Sequence, residues 1–218
     1  MPKTSIGTDV LTAAQERVSW TFDNFDRIYC SFSAGKDSGV MTHLVCQEAR
    51  KRSRKIGLFF LDWEAQFTLT IDFARAIYAE YADCIDPYWV SVPIKTWNSV
   101  SMHEPEWTAW DPEKKNLWVR QPEPVSITDP IAFPFWYEGI MFEEFVPTFG
   151  QWYAQGEKCA CFVGIRTQES LNRFRTLSRE KPMYDGKHYT TNVVENVWNV
   201  YPIYDWRTAD VWTFYGRT

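Results

Sequence analysis

Two hydrophobic periods alternate along this chain, and the alternation predicts its architecture. From about Thr8 to Asp26, Leu11, Ala14, Val18, Phe22 and Phe25 recur at three- and four-residue steps, the mark of one apolar helix face. Ile28–Phe32 then reads as a strand, and Val40, Met41, Leu44, Val45 and Ala49 form the buried stripe of a second helix. Ile56–Leu61 is a continuous apolar run, as expected of a central parallel strand covered on both faces. A third helix carries Phe67, Ile71, Ala74, Ile77 or Tyr78, and Tyr81, and Tyr88–Ile94 reads as the next strand. Cys159–Ile165 and Val197–Ile203 are further strands, and a final helix opens near Asp205 or Thr208, either of which suits an N-cap. Strands alternating with helices predict an α/β, Rossmann-like, doubly wound parallel sheet with helices on both faces. Such sheets bind ligands beyond the carboxyl ends of their strands.

The pattern changes between about residues 95 and 150. Seven prolines (Pro105, Pro112, Pro122, Pro124, Pro130, Pro134, Pro147) break regular structure there, interleaved with Trp97, Trp107, Trp110, Trp118 and Trp136. Its aromatic content argues for a folded segment. Two readings stand side by side: a Trp/Pro-rich insertion that covers a ligand site or meets a partner, and an aromatic mini-core without special role. Phe142–Gln155 contains a helical pattern, with an interruption expected near Pro147.

Composition narrows the classes. The 218 residues are 45% hydrophobic and 23% charged, as in globular domains, and one α/β domain over residues 1–218 accommodates them. No apolar run approaches the roughly 18 residues of a membrane span, and Met1–Gly7 lacks the apolar centre of a signal peptide, so a cytoplasmic location is expected. A formal net charge of −5 argues against direct nucleic-acid binding. The basic run Arg50–Lys55 reads as a solvated helix end. Five widely spaced cysteines (Cys30, Cys46, Cys84, Cys159, Cys161) specify neither a zinc nor an iron–sulfur site and read as buried thiols. A homo-oligomer is compatible with the sequence.

The candidate chemistry lies where the first strand meets the second helix. Ser31, Ser33, Ala34, Gly35, Lys36, Asp37 and Ser38 form a small-residue turn with one lysine, a context that aims backbone N–H groups and a helix dipole at one anion. It is not the Walker pattern, because Cys30 stands where that motif needs glycine and Asp37 follows the lysine. A second cluster, Gly164 and Arg166 followed by Arg173, lies beyond the fourth strand, and arginine forks suit phosphate or sulfate oxygens. Its alternative is a solvated helix with Glu169 and Arg173 as an i,i+4 pair.

Four stretches together resemble the PP-loop ATP pyrophosphatase superfamily, in the group that holds PAPS reductase and the small subunit of ATP sulfurylase. They are Ser33–Ser38, which is similar to S-G-G-K-D-S with Ala34 at the first glycine; Phe60–Trp63; Gly164–Ser170 with Arg173; and Tyr201–Trp206 with Ala209–Trp212. The resemblance implies an adenine nucleotide alpha-hydrolase-like fold and ATP with Mg²⁺ as cofactors. It implies that Ser33, Gly35, Ser38 and Lys36 hold the β/γ-phosphates, and that Asp37 orients the loop or a magnesium ion. The backbone at Leu61, with Asp62, would meet adenine and ribose, and Arg166 and Arg173 would face the α-phosphate or the incoming anion. The chemistry implied is attack on the α-phosphorus, giving an adenylylated acceptor and pyrophosphate, in sulfur metabolism or sulfur transfer. The alternatives are a phosphoadenosine phosphosulfate reductase or a nucleotide-binding regulatory module. Retention of Lys36-Asp37 resembles the ATP-using members more than the reductases, which also need a late cysteine that nothing after Cys161 supplies. The insertion and the Tyr201–Arg207 ending resemble a phage- and prophage-associated PAPS-reductase-like family that co-activates immunoglobulin-binding proteins with a ParB-like partner. That likeness implies such a partner at the 95–150 insertion. Those chains usually continue past the equivalent of Thr218, so a short form or a missing C-terminal region is expected.

Overall fold

The structure is a computed structural model that describes residues 7–98, 100–178 and 182–217. Most of the Met1–Gly7 stretch considered for a leader lies outside the described residues. A six-stranded sheet of order β3-β2-β1-β6-β8-β7 forms the centre. Its strands are β1 (Arg27–Ser31), β2 (Ile56–Leu61), β3 (Ile85–Val90), β6 (Cys159–Val163), β7 (Thr190–Val194) and β8 (Val197–Val200). All neighbours pair in parallel except β7, which returns antiparallel along β8. A separate two-stranded ribbon joins β4 (Ile94–Trp97) to β5 (Glu106–Ala109).

One face of the sheet is covered by α1 (Val10–Asn24), α2 (Lys36–Lys51), α3 (Thr68–Glu80) and α6 (Thr208–Tyr215). The helical stripes read from the sequence are largely the buried ones: Val18 and Phe22 on α1, Val40, Met41, Leu44, Val45 and Ala49 on α2, Ile71, Ala74 and Ile77 on α3. Phe67, read into the α3 stripe, is instead the exposed N-cap residue before that helix. The opposite face is covered by α4 (Phe142–Ala154) and part of the insertion, with Phe133, Phe145 and Phe149 packed on Tyr29 and Phe59. Much of the aromatic content is therefore core. A short helix, α5 (Leu171–Ser178), follows β6.

Several boundaries differ from the sequence expectations, each for a local reason. The third strand ends at Val90 rather than reaching Ile94, because Pro93 separates β3 from the β4 ribbon. The last strand stops at Val200, and its antiparallel partner β7 carried no separate hydrophobic signal. Pro147 does not interrupt α4, which runs through it. The missing N–H there is tolerated where Phe145 and Phe149 fix the helix to the sheet. The cap of α6 is Arg207, whose N–H donates to Asp210 Oδ2 at 2.7 Å, not Asp205 or Thr208. Asp205 is held by Arg17 of α1 instead, through two bonds of 2.8 and 2.7 Å. The Arg50–Lys55 run is paired rather than simply solvated: Arg50 binds Asp83, and Arg52 binds Asp23 and Glu48.

Candidate functional site

Chain order reverses across the sheet between β1 and β6. From β1 the chain proceeds to β2 and β3 on one side, then returns to β6 on the other. A crevice beyond the carboxyl ends of strands arises at such a reversal. The Phe32–Gly35 turn occupies that place and feeds directly into α2.

Small side chains allow the turn, and hydroxyls hold it. Ala34 takes a left-handed backbone with φ of 54°, a geometry that costs a residue with a Cβ about 1–2 kcal/mol and that glycine adopts freely. Ser38 Oγ donates to the Gly35 carbonyl at 3.0 Å, accepts the Ser33 amide at 3.3 Å and lies 3.0 Å from Ser33 Oγ. Gly35 is the N-cap of α2, and no side chain caps the first turn, which leaves its N–H groups to solvent or to an anion.

The charges converge on the same turn. Arg166, 3% exposed, donates from Nε and Nη2 to the two oxygens of Asp37 at 2.8 and 3.1 Å. Lys36 Nζ donates to Asp37 Oδ2 at 3.1 Å and keeps part of its side chain in solvent. Two cations on one carboxylate leave a formal charge of +1 at the positive end of the α2 dipole. The arrangement is built to receive an anion, with Asp37 fixing where the cations stand.

Close backbone approach explains Gly164. A Cβ there would lie 2.7 Å from Ser38 Cα and 2.8 Å from Ser38 N, so the end of β6 touches the first turn of α2. From the other side, Tyr215 OH donates to the Lys36 carbonyl at 2.9 Å, and Arg166 Nη1 lies 3.4 Å from Thr208 Oγ1. Burial, and then the charge of Asp37, push the Tyr215 phenol up to about 12, so it remains a donor at neutral pH. Tyr215 gave no sequence signal, because an aromatic late in an apolar helix looks like core. Thr208 carried only a capping signal.

The remaining predicted residues are distributed differently. Ser31 and Leu61 are the last residues of β1 and β2, flanking the turn. Arg173 is not brought to the turn: it sits in the first helical turn of α5 with Nε 3.7 Å from Glu169 Oε2, the i,i+4 pair of the simpler reading. Asp62 is 1% exposed and faces the insertion. Its carboxylate accepts from Trp89 Nε1 at 2.8 Å, Ser91 Oγ at 3.4 Å, the Glu64 amide at 2.9 Å, and Arg120. Its main chain is engaged too, by Val90 at 2.9 Å and by Trp110 Nε1 at 2.7 Å. Sequence reading missed Glu64 and Arg120, whose only signal was charge inside an aromatic-rich stretch.

All five cysteines are buried and unbridged. Burial pushes up the thiols of Cys30, Cys159 and Cys161, the last to about 12. Cys84 is lowered by hydrogen bonding with Cys46, but it precedes β3, at the amino end of the parallel strands and away from the turn. Among the described residues no group of three or more His, Cys, Asp or Glu is arranged to hold a metal ion. No helix among them is long and apolar enough to cross a membrane.

Fold and turn together define a Rossmann-like α/β protein with a strand–turn–helix of net positive charge at its switch point. The family follows from comparison: the phosphoadenosine phosphosulfate reductase domain matches residues 27–218, and the chain belongs to that family. It is 43% identical over 219 residues to the uncharacterized protein YbdN of Escherichia coli (strain K12), covering 99% of this chain and 53% of that protein. It is 27% identical over 187 residues to the uncharacterized protein MJ0973 of Methanocaldococcus jannaschii, covering 86% of this chain and 35% of that one. The chain thus spans about half of the first relative and about a third of the second. Among solved structures, the U34-tRNA thiolase NcsA from Methanococcus maripaludis with its [4Fe-4S] cluster aligns with TM-score 0.47 and 13% identity, over 95% of this chain and 62% of that one.

Proposed function

We propose that this chain binds ATP through the Ser33–Ser38 turn and transfers its adenylyl group to an acceptor, in nucleotide-dependent chemistry related to sulfur. The observation that carries this is the Lys36–Asp37–Arg166 cluster at the uncapped start of α2, which keeps net positive charge beside unbonded N–H groups. A β/γ-pyrophosphate fits a cationic cradle of this kind. In the reaction, the acceptor's nucleophile forms a bond to the α-phosphorus, the bond from that phosphorus to the bridging oxygen breaks, and the electron pair departs with pyrophosphate. Lys36 and the first-turn N–H groups neutralise the charge growing on that leaving group. Arg166, anchored through Asp37, holds positive charge near the α-phosphate.

Mg²⁺ supplies charge neutralisation on the phosphates when it is bound. The Asp37 carboxylate proposed for it is already engaged by Arg166 and Lys36 on both oxygens. The residues therefore do not fit a resident metal site, and the ion would arrive on the nucleotide. Asp37 then acts by orienting the loop.

Reduction of a phosphosulfate nucleotide by a cysteine of this chain is the weaker reading, since its thiols are buried and none lies at the turn. The finer assignment, to a phage-associated family acting with a ParB-like partner, rests on the sequence resemblance of the insertion and of Tyr201–Arg207, and the exposed apolar side chains of Val100 and Met102 in the insertion are compatible with a partner there. A cytoplasmic location belongs to the same proposal. The test is ATP affinity with and without Lys36→Ala, followed by pyrophosphate release with candidate acceptors. The expected loss of affinity is tenfold or more, and undiminished binding by the variant removes the central claim.

A further inference from the structure

Arg120 holds the insertion to the end of β2 under unusual conditions. One guanidinium nitrogen binds the Asp62 carboxylate, and the group lies over the Trp110 ring at 5.2 Å. Its Nε and Nη1 are buried without a hydrogen-bond partner, and Glu123 Oε1 stands 4.0 Å from Nη1. Glu64 works beside it. Its buried carboxylate accepts the amides of Trp110 at 3.0 Å and Val119 at 3.3 Å, and its own backbone is left-handed, with φ of 61°. A strained backbone, a buried carboxylate and an incompletely satisfied guanidinium are all spent on placing one short segment. Nothing in the sheet requires that segment for closure, since β2 is already paired on both edges.

Its position suggests the reason. The β6 side of the Ser33–Ser38 turn is closed by Gly164, Arg166 and Tyr215. A molecule with its phosphates on α2 must extend its other end toward β2, where Ser31 pairs with Phe59 and the Asp62 end lies next to the turn. Resting on the assignment of that turn to a nucleotide, we propose that Asp62 and Glu64 do not contact the nucleotide but are the receptor for residues 110–120, which they hold as the wall of the nucleoside end, with Arg120 as the positioning residue. Phe67 and Leu69, which follow Glu64 at the start of α3, and Leu117 and Val119 on the segment are exposed apolar side chains.

The test compares two ligands on the full chain: ATP, which reaches both ends of the site, and inorganic pyrophosphate, which reaches only the turn. Arg120→Ala is expected to weaken ATP at least tenfold while leaving pyrophosphate within twofold, and Arg120→Lys recovers most of the loss. Hydrogen exchange across residues 110–120 accelerates in Arg120→Ala. Glu64→Gln, which keeps the volume and one acceptor, gives the same pattern more weakly and serves if Arg120→Ala does not fold. Unchanged ATP affinity, equal loss of both ligands with unchanged circular dichroism, or unchanged exchange in the segment each overturns the proposal. If the wild-type chain binds pyrophosphate but not ATP, the wall is wrong and the anion turn survives. If it binds neither, the nucleotide assignment itself fails and the wall with it.

Discussion

The Asp37–Arg166 pair makes an asymmetric prediction. Asp37→Asn leaves the shape of the side chain but withdraws the charge from Arg166, which is 3% exposed. The arginine then retains a neutral amide and Thr208 Oγ1 at 3.4 Å, so a buried cation is left poorly compensated. Removing one partner of a buried pair in this way costs about 3–5 kcal/mol. The lower half of that range applies, because Asn still accepts one bond. Arg166→Gln strands the carboxylate instead, but Asp37 keeps Lys36 Nζ at 3.1 Å and a place in the first turn of α2. The helix dipole stabilises an acidic residue there by about 0.3–1 kcal/mol, so this variant should lose only about 1–2 kcal/mol. For a chain of this length each kcal/mol moves the Tm by about 2–4 °C. Asp37→Asn should therefore lower it by about 6–16 °C and Arg166→Gln by clearly less. Urea unfolding followed by tryptophan fluorescence gives both values, with an unchanged m-value as the check that the states compared are the same. The double variant should cost less than the sum, since the second change removes the charge that the first left unpaired. Equal losses in the two single variants, or a loss below about 1 kcal/mol in Asp37→Asn, would refute the view that Asp37 exists to compensate a buried Arg166.

Three other outcomes follow from the same structure. Gly164→Ala drives a methyl into the Ser38 backbone at 2.7–2.8 Å, so it should destabilise by about 1–3 kcal/mol and weaken pyrophosphate binding, measured by calorimetry. Burial lowers the imidazoles of His43 and His188 from the usual 6.5, so the unfolded chain takes up their protons first as the pH falls. Their share of stability is complete above 6.5 and is lost below it down to the folded values, and His43→Gln should flatten the denaturant midpoint between pH 7 and 5. Pro147→Ala restores a main-chain donor to the sixth position of α4 and should raise the Tm by several degrees in a thermal melt, given the roughly 3 kcal/mol gap in helix propensity.

What was legible in the sequence was what depends on periodicity and on local steric demands. The stripes of α2 and α3 are set by burial against one sheet face, and the continuous apolar run of β2 by burial on two. Ser33–Ser38 was legible because a strand–turn–helix with backbone donors tolerates few residue types. Arg173 illustrates the opposite case, since its spacing from Glu169 fits a phosphate ligand and a helical pair equally, and only the path of α5 separates the two. β8 was legible from Val197 onward, but β7 and the β4–β5 ribbon were missed because half-exposed strands of four or five residues lack a strong alternation. Asp205 and Thr208 show why capping chemistry misled: both suit an N-cap, but Arg17, 188 positions away, holds Asp205, and Arg207 takes the cap with its N–H on Asp210.

The acidic residue at the end of β2 deserves a different account from the one its position suggests. A carboxylate beyond a parallel strand, next to an anion-binding turn, is well placed for a sugar hydroxyl or a metal ion. Asp62 is instead saturated: two side-chain N–H or O–H donors from β3 and its following residue, one arginine and one backbone amide fill its lone pairs. To serve a ligand it would have to release Arg120, leaving a guanidinium that already has two buried, unpartnered nitrogens with none of its bonds. Each unmet donor costs about 1–3 kcal/mol, more than one hydroxyl–carboxylate bond returns. On the proposal that residues 110–120 wall the nucleoside end, the balance of those terms gives Asp62 to the insertion rather than to the ligand, and the insertion, not the β2 carboxylate, becomes the element through which sequence change would tune what the site accepts.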